Sequence, residues 1–203
     1  MRYVLSGIAV LVVVGGIYLF FFRSTPITNY PSSGTDIIAF GDSLTAGTGS
    51  TAGHDYVSVL SQKIGQPIIN LGHAGDTTAD GLARLSELDN YKPKVVLLLL
   101  GGNDYLKRVP KEETFSNLAK IIQNIQSRGA VVLLLGIRGG ILHDNFASEF
   151  EKLRDTYHTA YVSNVLAGLL GDNRYMYDEV HPNDAGYAII ANRIAPVLQG
   201  LVN

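Results

Sequence analysis

The chain has 203 residues, 46% of them hydrophobic, with sixteen Lys and Arg against eighteen Asp and Glu and a formal net charge of −2. That length suits one domain with a sizeable core once a leading segment is set aside, and the charge balance, with no basic block interleaved with aromatics, leaves no nucleic-acid footprint. The complete lack of Cys excludes disulfides, thiolate nucleophiles and zinc thiolate sites, and says nothing about compartment.

The first element is apolar. Val4 to Phe22 runs for nineteen residues without a charge, enough at about 1.5 Å per residue to cross most of a hydrocarbon core of about 30 Å. No small-x-small cleavage signal follows, because Phe20, Phe21, Phe22 and Arg23 occupy the relevant positions, so residues 1–23 read as an uncleaved transmembrane signal anchor rather than a removed signal peptide. Arg2 and the α-amino group favour a cytoplasmic N-terminus and a remainder on the periplasmic or extracellular side. Residues 24–35, "STPITNYPSSGT", are polar and turn-rich and read as a linker. Residues 36–203 form the expected folded domain.

Within that domain short apolar runs alternate with longer amphipathic ones, the pattern of an α/β fold around a buried parallel sheet. Strands are predicted at Asp36–Phe40, Gln66–Asn70, Lys94–Leu100, Ala130–Leu135 and Ala160–Val162. The third and fourth are apolar on both faces, as central strands covered by helices must be. Helical periodicity places Val57, Leu60 and Ile64 on one face of His54–Ile64. It does the same for Phe115, Leu118, Ile122 and Ile125 in Glu112–Ser127, and for Phe150, Leu153 and Tyr157 in Ser148–Tyr157. A last helix from Asn183 to Gln199 buries Tyr187, Ile190, Ile194 and Leu198. The loop "GIRGGILHDN", Gly136–Asn145, is irregular and suited to shaping a pocket.

Polar residues with chemical potential stand where strands stop. In "AFGDSLTAG" Ser43 follows the first strand by three residues, at the carboxyl edge where parallel sheets open their crevice. A Ser there serves either as a turn or helix cap or as a nucleophile. "NLGHAGDTTADGLARL" leaves the second strand with Gly75, a turn glycine or the donor of an unhindered N–H to an anion. "LLLLGGNDYL" ends a fully apolar strand on Asn103, which either forms a turn or points its NH₂ at negative charge developing on a substrate oxygen. In "YDEVHPNDAGY" Asp178 and His181 stand three apart before the last helix, so the carboxylate can hold the imidazole while its other nitrogen faces outward. Histidine has a reference pKa of about 6.5 and can accept a proton near neutrality. A metal reading of Asp178, His181 and Asp184 lacks a further ligand, and neither a metal nor a cofactor is expected. Together the positions supply a nucleophile, a base, an orienting acid and oxyanion donors.

The blocks "FGDSLTAG", "GHAGDTTADGLARL", "LGGND" and "DEVHPNDAGY", in this order, resemble the SGNH subclass of the GDSL hydrolases, and within it the bacterial arylesterase, lysophospholipase and acyl-thioesterase branch. The resemblance covers Asp36 to Val202. It implies a flavodoxin-like three-layer α/β/α sandwich with a five-stranded parallel sheet in the order 2-1-3-4-5. It also implies a serine esterase in which Ser43, Asp178 and His181 are catalytic, and in which the Ser43 and Gly75 N–H groups and the Asn103 amide form the oxyanion hole. The expected partner is a small-molecule or lipid-like ester, with thioesters included, in reach of a domain held at a membrane. An O-acetylesterase acting on polysaccharide is a second reading, favoured by a small closed acyl pocket. A long apolar groove lined by Ile141, Leu142 and Leu166–Leu170 favours lipid or fatty acyl esters. A non-catalytic, membrane-anchored binding domain is a third reading, which requires a broken triad.

Overall fold

The computed structural model describes residues 26–138 and 146–203. The expected anchor and residues 139–145 of the Gly136–Asn145 loop, including Ile141 and Leu142, lie outside the described residues. Among the described residues no helix is long and apolar enough to cross a membrane.

Five parallel strands, β1 (Asp36–Gly41), β2 (Ile68–Gly72), β3 (Pro93–Leu99), β4 (Val131–Leu135) and β5 (Ala160–Val162), form one sheet in the order β2-β1-β3-β4-β5. Register pairs Phe40 with both Leu71 and Leu98, Val95 with Val131, and Leu134 with Tyr161. Every residue from Val95 to Leu99 and from Val131 to Leu135 is wholly buried, because helices cover both faces and an alternating polar position would have no water to meet. The observed β2 starts two residues later than its predicted position. Gln66 and Pro67 belong instead to the turn, where the Ser61 hydroxyl donates to the Gln66 carbonyl at 2.8 Å.

The connections supply α1 (Ser43–Ala46), α2 (Tyr56–Ile64), α3 (Thr78–Ala83), a 3₁₀ helix (Leu85–Asn90), α4 (Gly102–Leu106), α5 (Lys111–Ser127), α6 (Phe146–Tyr157) and α7 (Asp184–Val202). Helix α2 packs on α7, while α5 packs on α3 and on α6. The predicted inward faces are the observed ones: Leu60, Leu118, Ile122, Ile125, Tyr187, Ile190, Ile194 and Leu198 have no solvent exposure. Helix α7 runs on to Val202 through Pro196, a residue that cannot donate to the preceding turn. Burial of Ile190, Ile194, Leu198 and Leu201 on one stripe outweighs that missing bond.

The segment expected as a free linker is fastened to the domain from Thr28 on. The Thr28 N–H donates to the His158 carbonyl at 2.9 Å. Asn29 donates to the Gln126 and Ala130 carbonyls, Ser32 to the Gly129 carbonyl, and the Thr35 N–H to the Lys92 carbonyl. Each acceptor precedes or borders the start of a strand, so this segment runs along the amino edge of the sheet. Its Asn, Ser and Thr side chains satisfy carbonyls that would otherwise be left open at helix ends and turns.

The strand order reverses between β1 and its neighbours β2 and β3, and a doubly wound sheet opens its crevice at the carboxyl ends beside such a switch point. Ser43 follows β1 and Asn103 follows β3, so two of the expected site residues leave adjacent strands on the side opposite the amino-edge segment.

Candidate active site

Strand β1 ends in a turn that leaves little room. A Cβ on Gly41 would collide with the Thr45 hydroxyl and lie 2.5 Å from the Leu99 carbonyl oxygen, so only glycine lets α1 fold back this tightly against β3. Asp42 caps α1 by accepting the Leu44 N–H at 3.0 Å. Ser43 is therefore the first residue of the helix, and its N–H has no helical acceptor. The cap that the sequence offered to Ser43 is filled by Asp42 instead.

The loop from Met176 to Pro182 closes on itself. The Tyr177 N–H donates to the His181 carbonyl at 2.8 Å. One oxygen of Asp178 accepts the backbone N–H groups of Val180 and His181 at 2.8 and 2.7 Å, and the other meets His181 Nδ1 at 2.8 Å. Burial works to raise the Asp178 carboxyl, but these hydrogen bonds from the imidazole and the two N–H groups outweigh it and hold it down at about 2. A carboxylate only accepts, so Nδ1 carries the proton and Nε2 presents its lone pair. That nitrogen stands 2.9 Å from Ser43 Oγ, and the hydroxyl donates to it. Ser43, His181 and Asp178 thus form one hydrogen-bonded line across 138 residues of sequence.

Asn103 sits in the first turn of α4. Its NH₂ donates to the Asp76 carbonyl at 2.9 Å, and the residue also lines the cavity. Gly75 occupies the neighbouring loop at φ +89, with open space where a Cβ would stand, and its carbonyl accepts from Lys107 at 3.1 Å. The structure therefore joins Asn103 to the Gly75–Asp76 loop, while Gly75 is absent from the cavity wall formed by the described residues. The Asp184 carboxylate takes the Thr51 N–H and hydroxyl, both at 2.7 Å.

A cavity of about 260 Å³ opens over this line, with Ser43, Asn103 and His181 in its wall. The rest of the lining is largely apolar: Tyr105, Leu106, Ile137, Phe146, Leu166 and Leu170. Leu166 and Leu170 were expected there. Ile137 comes from the loop expected to shape a pocket, whereas Tyr105 and Phe146 were not singled out, because they come from different segments and share no spacing. Phe146 stands edge-on to Tyr105, with ring centroids 5.7 Å apart.

Nothing in the sequence singled out Asp42. Its side chain is enclosed at the cavity floor, and burial pushes its carboxyl up to about 7 against the pull of the Leu44 N–H and the nearby His181.

A hydroxyl, an imidazole and a carboxylate in line at the switch point of a doubly wound sheet define the class: a serine hydrolase built for acyl transfer. Comparison with known proteins agrees. The GDSL-like lipase/acylhydrolase family model matches residues 39–189. The thioesterase 1/protease 1/lysophospholipase L1 of Escherichia coli K12 is 31% identical over 176 residues, covering 82% of this chain and 85% of that protein. The arylesterase of Vibrio mimicus is 33% identical over 174 residues, covering 80% and 87% respectively. The crystal structure of TesA superposes with a TM-score of 0.78 at 30% identity, covering 83% of this chain and all of that one. The chain belongs to the GDSL-like lipase/acylhydrolase family, and it is a carboxylic ester hydrolase.

Proposed function

We propose that Ser43 is the nucleophile, His181 the general base and Asp178 its orienting acid, with the Ser43 and Gly75 N–H groups and the Asn103 amide as oxyanion donors. The observation that carries this reading is the line from Ser43 Oγ through His181 to Asp178, at 2.9 and 2.8 Å. His181 Nε2 takes the hydroxyl proton as Oγ bonds to the ester carbonyl carbon, and the carbonyl oxygen gains negative charge facing the donors. The tetrahedral intermediate collapses, the alkoxide leaves with the proton from Nε2, and the acyl group remains on Ser43. Water then repeats the sequence, giving its proton to Nε2 and releasing the acid as Oγ recovers a proton.

The apolar wall argues for an apolar acyl or aryl group as substrate. A cavity of about 260 Å³ lies just under the usual range for small-molecule clefts, about 300–1,000 Å³, and its aromatic and leucine lining gives an acetyl group on a polysaccharide little to bind. The names of the relatives, arylesterase and thioesterase/lysophospholipase, point the same way and bring acyl thioesters into range. Initial rates of the full chain on p-nitrophenyl esters from acetyl to dodecanoyl test this. Rates that hold or rise to octanoyl are expected; a maximum at acetyl with steep loss beyond butanoyl would replace this reading with the O-acetylesterase one.

The uncharged run Val4–Phe22 supports attachment to a membrane by a single helix, with the hydrolase on the outer side. Folded backbone begins by Thr28, so few residues separate such an anchor from the amino edge of the sheet. The cavity, at the carboxyl edge, then opens away from the bilayer that holds the anchor. Substrates arriving from the aqueous side or from a facing surface suit this orientation better than lipids of the anchoring leaflet.

A further inference from the structure

Behind the loop that carries Gly75 lies a guanidinium that the reaction above does not use. The Arg84 side chain, at the junction of α3 and the 3₁₀ helix, is only 12% exposed. Its Nε donates to Asp76 Oδ2 at 2.6 Å, one terminal nitrogen donates to Glu87 Oε2 at 3.0 Å, and the other to the Gly41 carbonyl at 2.9 Å. The guanidinium lies 4.0 Å over the Phe40 ring. The same Gly41 carbonyl also accepts the His73 N–H at 2.9 Å.

Two of these partners, Gly41 and Asp76, belong to the two segments whose spacing sets the oxyanion hole. Gly41 precedes Ser43 by two residues at the end of β1. Asp76 follows Gly75, and its carbonyl holds the Asn103 amide at 2.9 Å. One rigid planar group therefore ties the segment presenting the Ser43 N–H to the loop presenting the Gly75 N–H and anchoring Asn103. We infer that Arg84 is a positioning residue that fixes the distance between the oxyanion donors. The inference rests on the assignment of Ser43, Gly75 and Asn103 as those donors. Physically, an oxyanion donor helps only when it stands about 2.7–3.1 Å from the developing charge, and a shift of about 1 Å in a positioned group can cost about a hundredfold in rate. A lysine has no planar fork and cannot reach Asp76, Glu87 and Gly41 in these three directions while lying flat on Phe40.

The test measures kcat, KM and the affinity for an alkyl boronic acid, which forms a tetrahedral adduct on a reactive serine, in Arg84→Lys, Arg84→Ala and Asp76→Asn. Arg128→Lys serves as a control, because Arg128 also joins two elements, through Asp89 and the Leu85 carbonyl, but outside the catalytic cavity. Arg84→Lys and Asp76→Asn are expected to lose about 10- to 100-fold in kcat, with KM within about threefold, a parallel loss of boronate affinity and an unmoved pH midpoint of kcat. Methylguanidinium is expected to restore part of the kcat of Arg84→Ala, and Arg128→Lys to keep full kcat. Unchanged kcat in folded Arg84→Lys and Asp76→Asn, or a loss confined to KM, overturns the inference. Asn103→Ala measured alongside separates the two levels: if it too keeps full kcat, the donor assignment itself has failed, and if it alone loses kcat, only the role of Arg84 has.

Discussion

Asp178 divides its two oxygens between two jobs, one holding the loop through the Val180 and His181 N–H groups and the other orienting the imidazole. In Asp178→Asn the amide oxygen can keep the loop, while the NH₂ then faces Nδ1. The proton is forced onto Nε2, where the imidazole cannot accept from Ser43. We expect kcat to fall by about 10³ to 10⁴ with little change in melting temperature; a fall below tenfold would show that His181 needs no carboxylate. Asp42 allows a prediction about pH. Its carboxyl is held at about 7, chiefly by burial, so below about pH 4 it is neutral in both folded and unfolded chains. Between about pH 4 and 7 the unfolded chain ionises while the folded one keeps its proton, and stability falls as pH rises, by at most about 4 kcal/mol in all. Asn at position 42 can still cap α1 and has no proton to lose. The unfolding free energy of Asp42→Asn relative to the parent should therefore improve steadily from pH 4 to 7; a difference independent of pH would contradict the buried neutral carboxyl.

At the scale of elements, legibility followed length and periodicity. Strands β1, β3 and β4 and helices α2, α5 and α7 each carry an apolar pattern long enough to read, and their predicted ends fall within three residues of the observed ones. Helices α1 and α4, of four and five residues, are too short to show a period. They form because Asp42 and Gly101 start them, and they hold two of the candidate catalytic groups. The buried polar links were also illegible, since they join distant segments. Asp104, 1% exposed, accepts the Thr78 N–H at 2.8 Å, the Thr78 hydroxyl at 2.5 Å and the Thr114 hydroxyl at 3.3 Å. It thereby pins the start of α3 and the side of α5 to the residue beside Asn103. Asp104→Ala leaves the Thr78 N–H buried without an acceptor, and unfolding in urea should register a loss of about 3 kcal/mol or more; a loss under about 1 kcal/mol would mean that water or a rearranged Thr114 replaces the carboxylate.

Over the whole molecule the sheet separates two functions by edge. The amino edge holds Thr28 to Thr35, and the carboxyl edge holds the cavity. The carboxyl edge was readable because the four motif blocks fall where strands or the last loop end, and the strand order only through the family resemblance; of the cavity wall, Tyr105 and Phe146 were not readable, because they meet only through the fold. The absence of cysteine makes the proposed orientation easy to test, since Ser24→Cys supplies the only thiol. In intact cells a membrane-impermeant maleimide should label it; labelling only after permeabilisation would place the hydrolase on the cytoplasmic side. The central claim is that acyl transfer runs through Ser43. The measurement that tests it most directly is the hydrolysis of p-nitrophenyl octanoate by the full chain and by Ser43→Ala, with the intact mass of each protein taken during turnover. We expect kcat to fall by about 10⁴ or more in Ser43→Ala, and an added octanoyl mass on the parent alone. Equal rates, or an octanoyl adduct on the alanine variant, would contradict it.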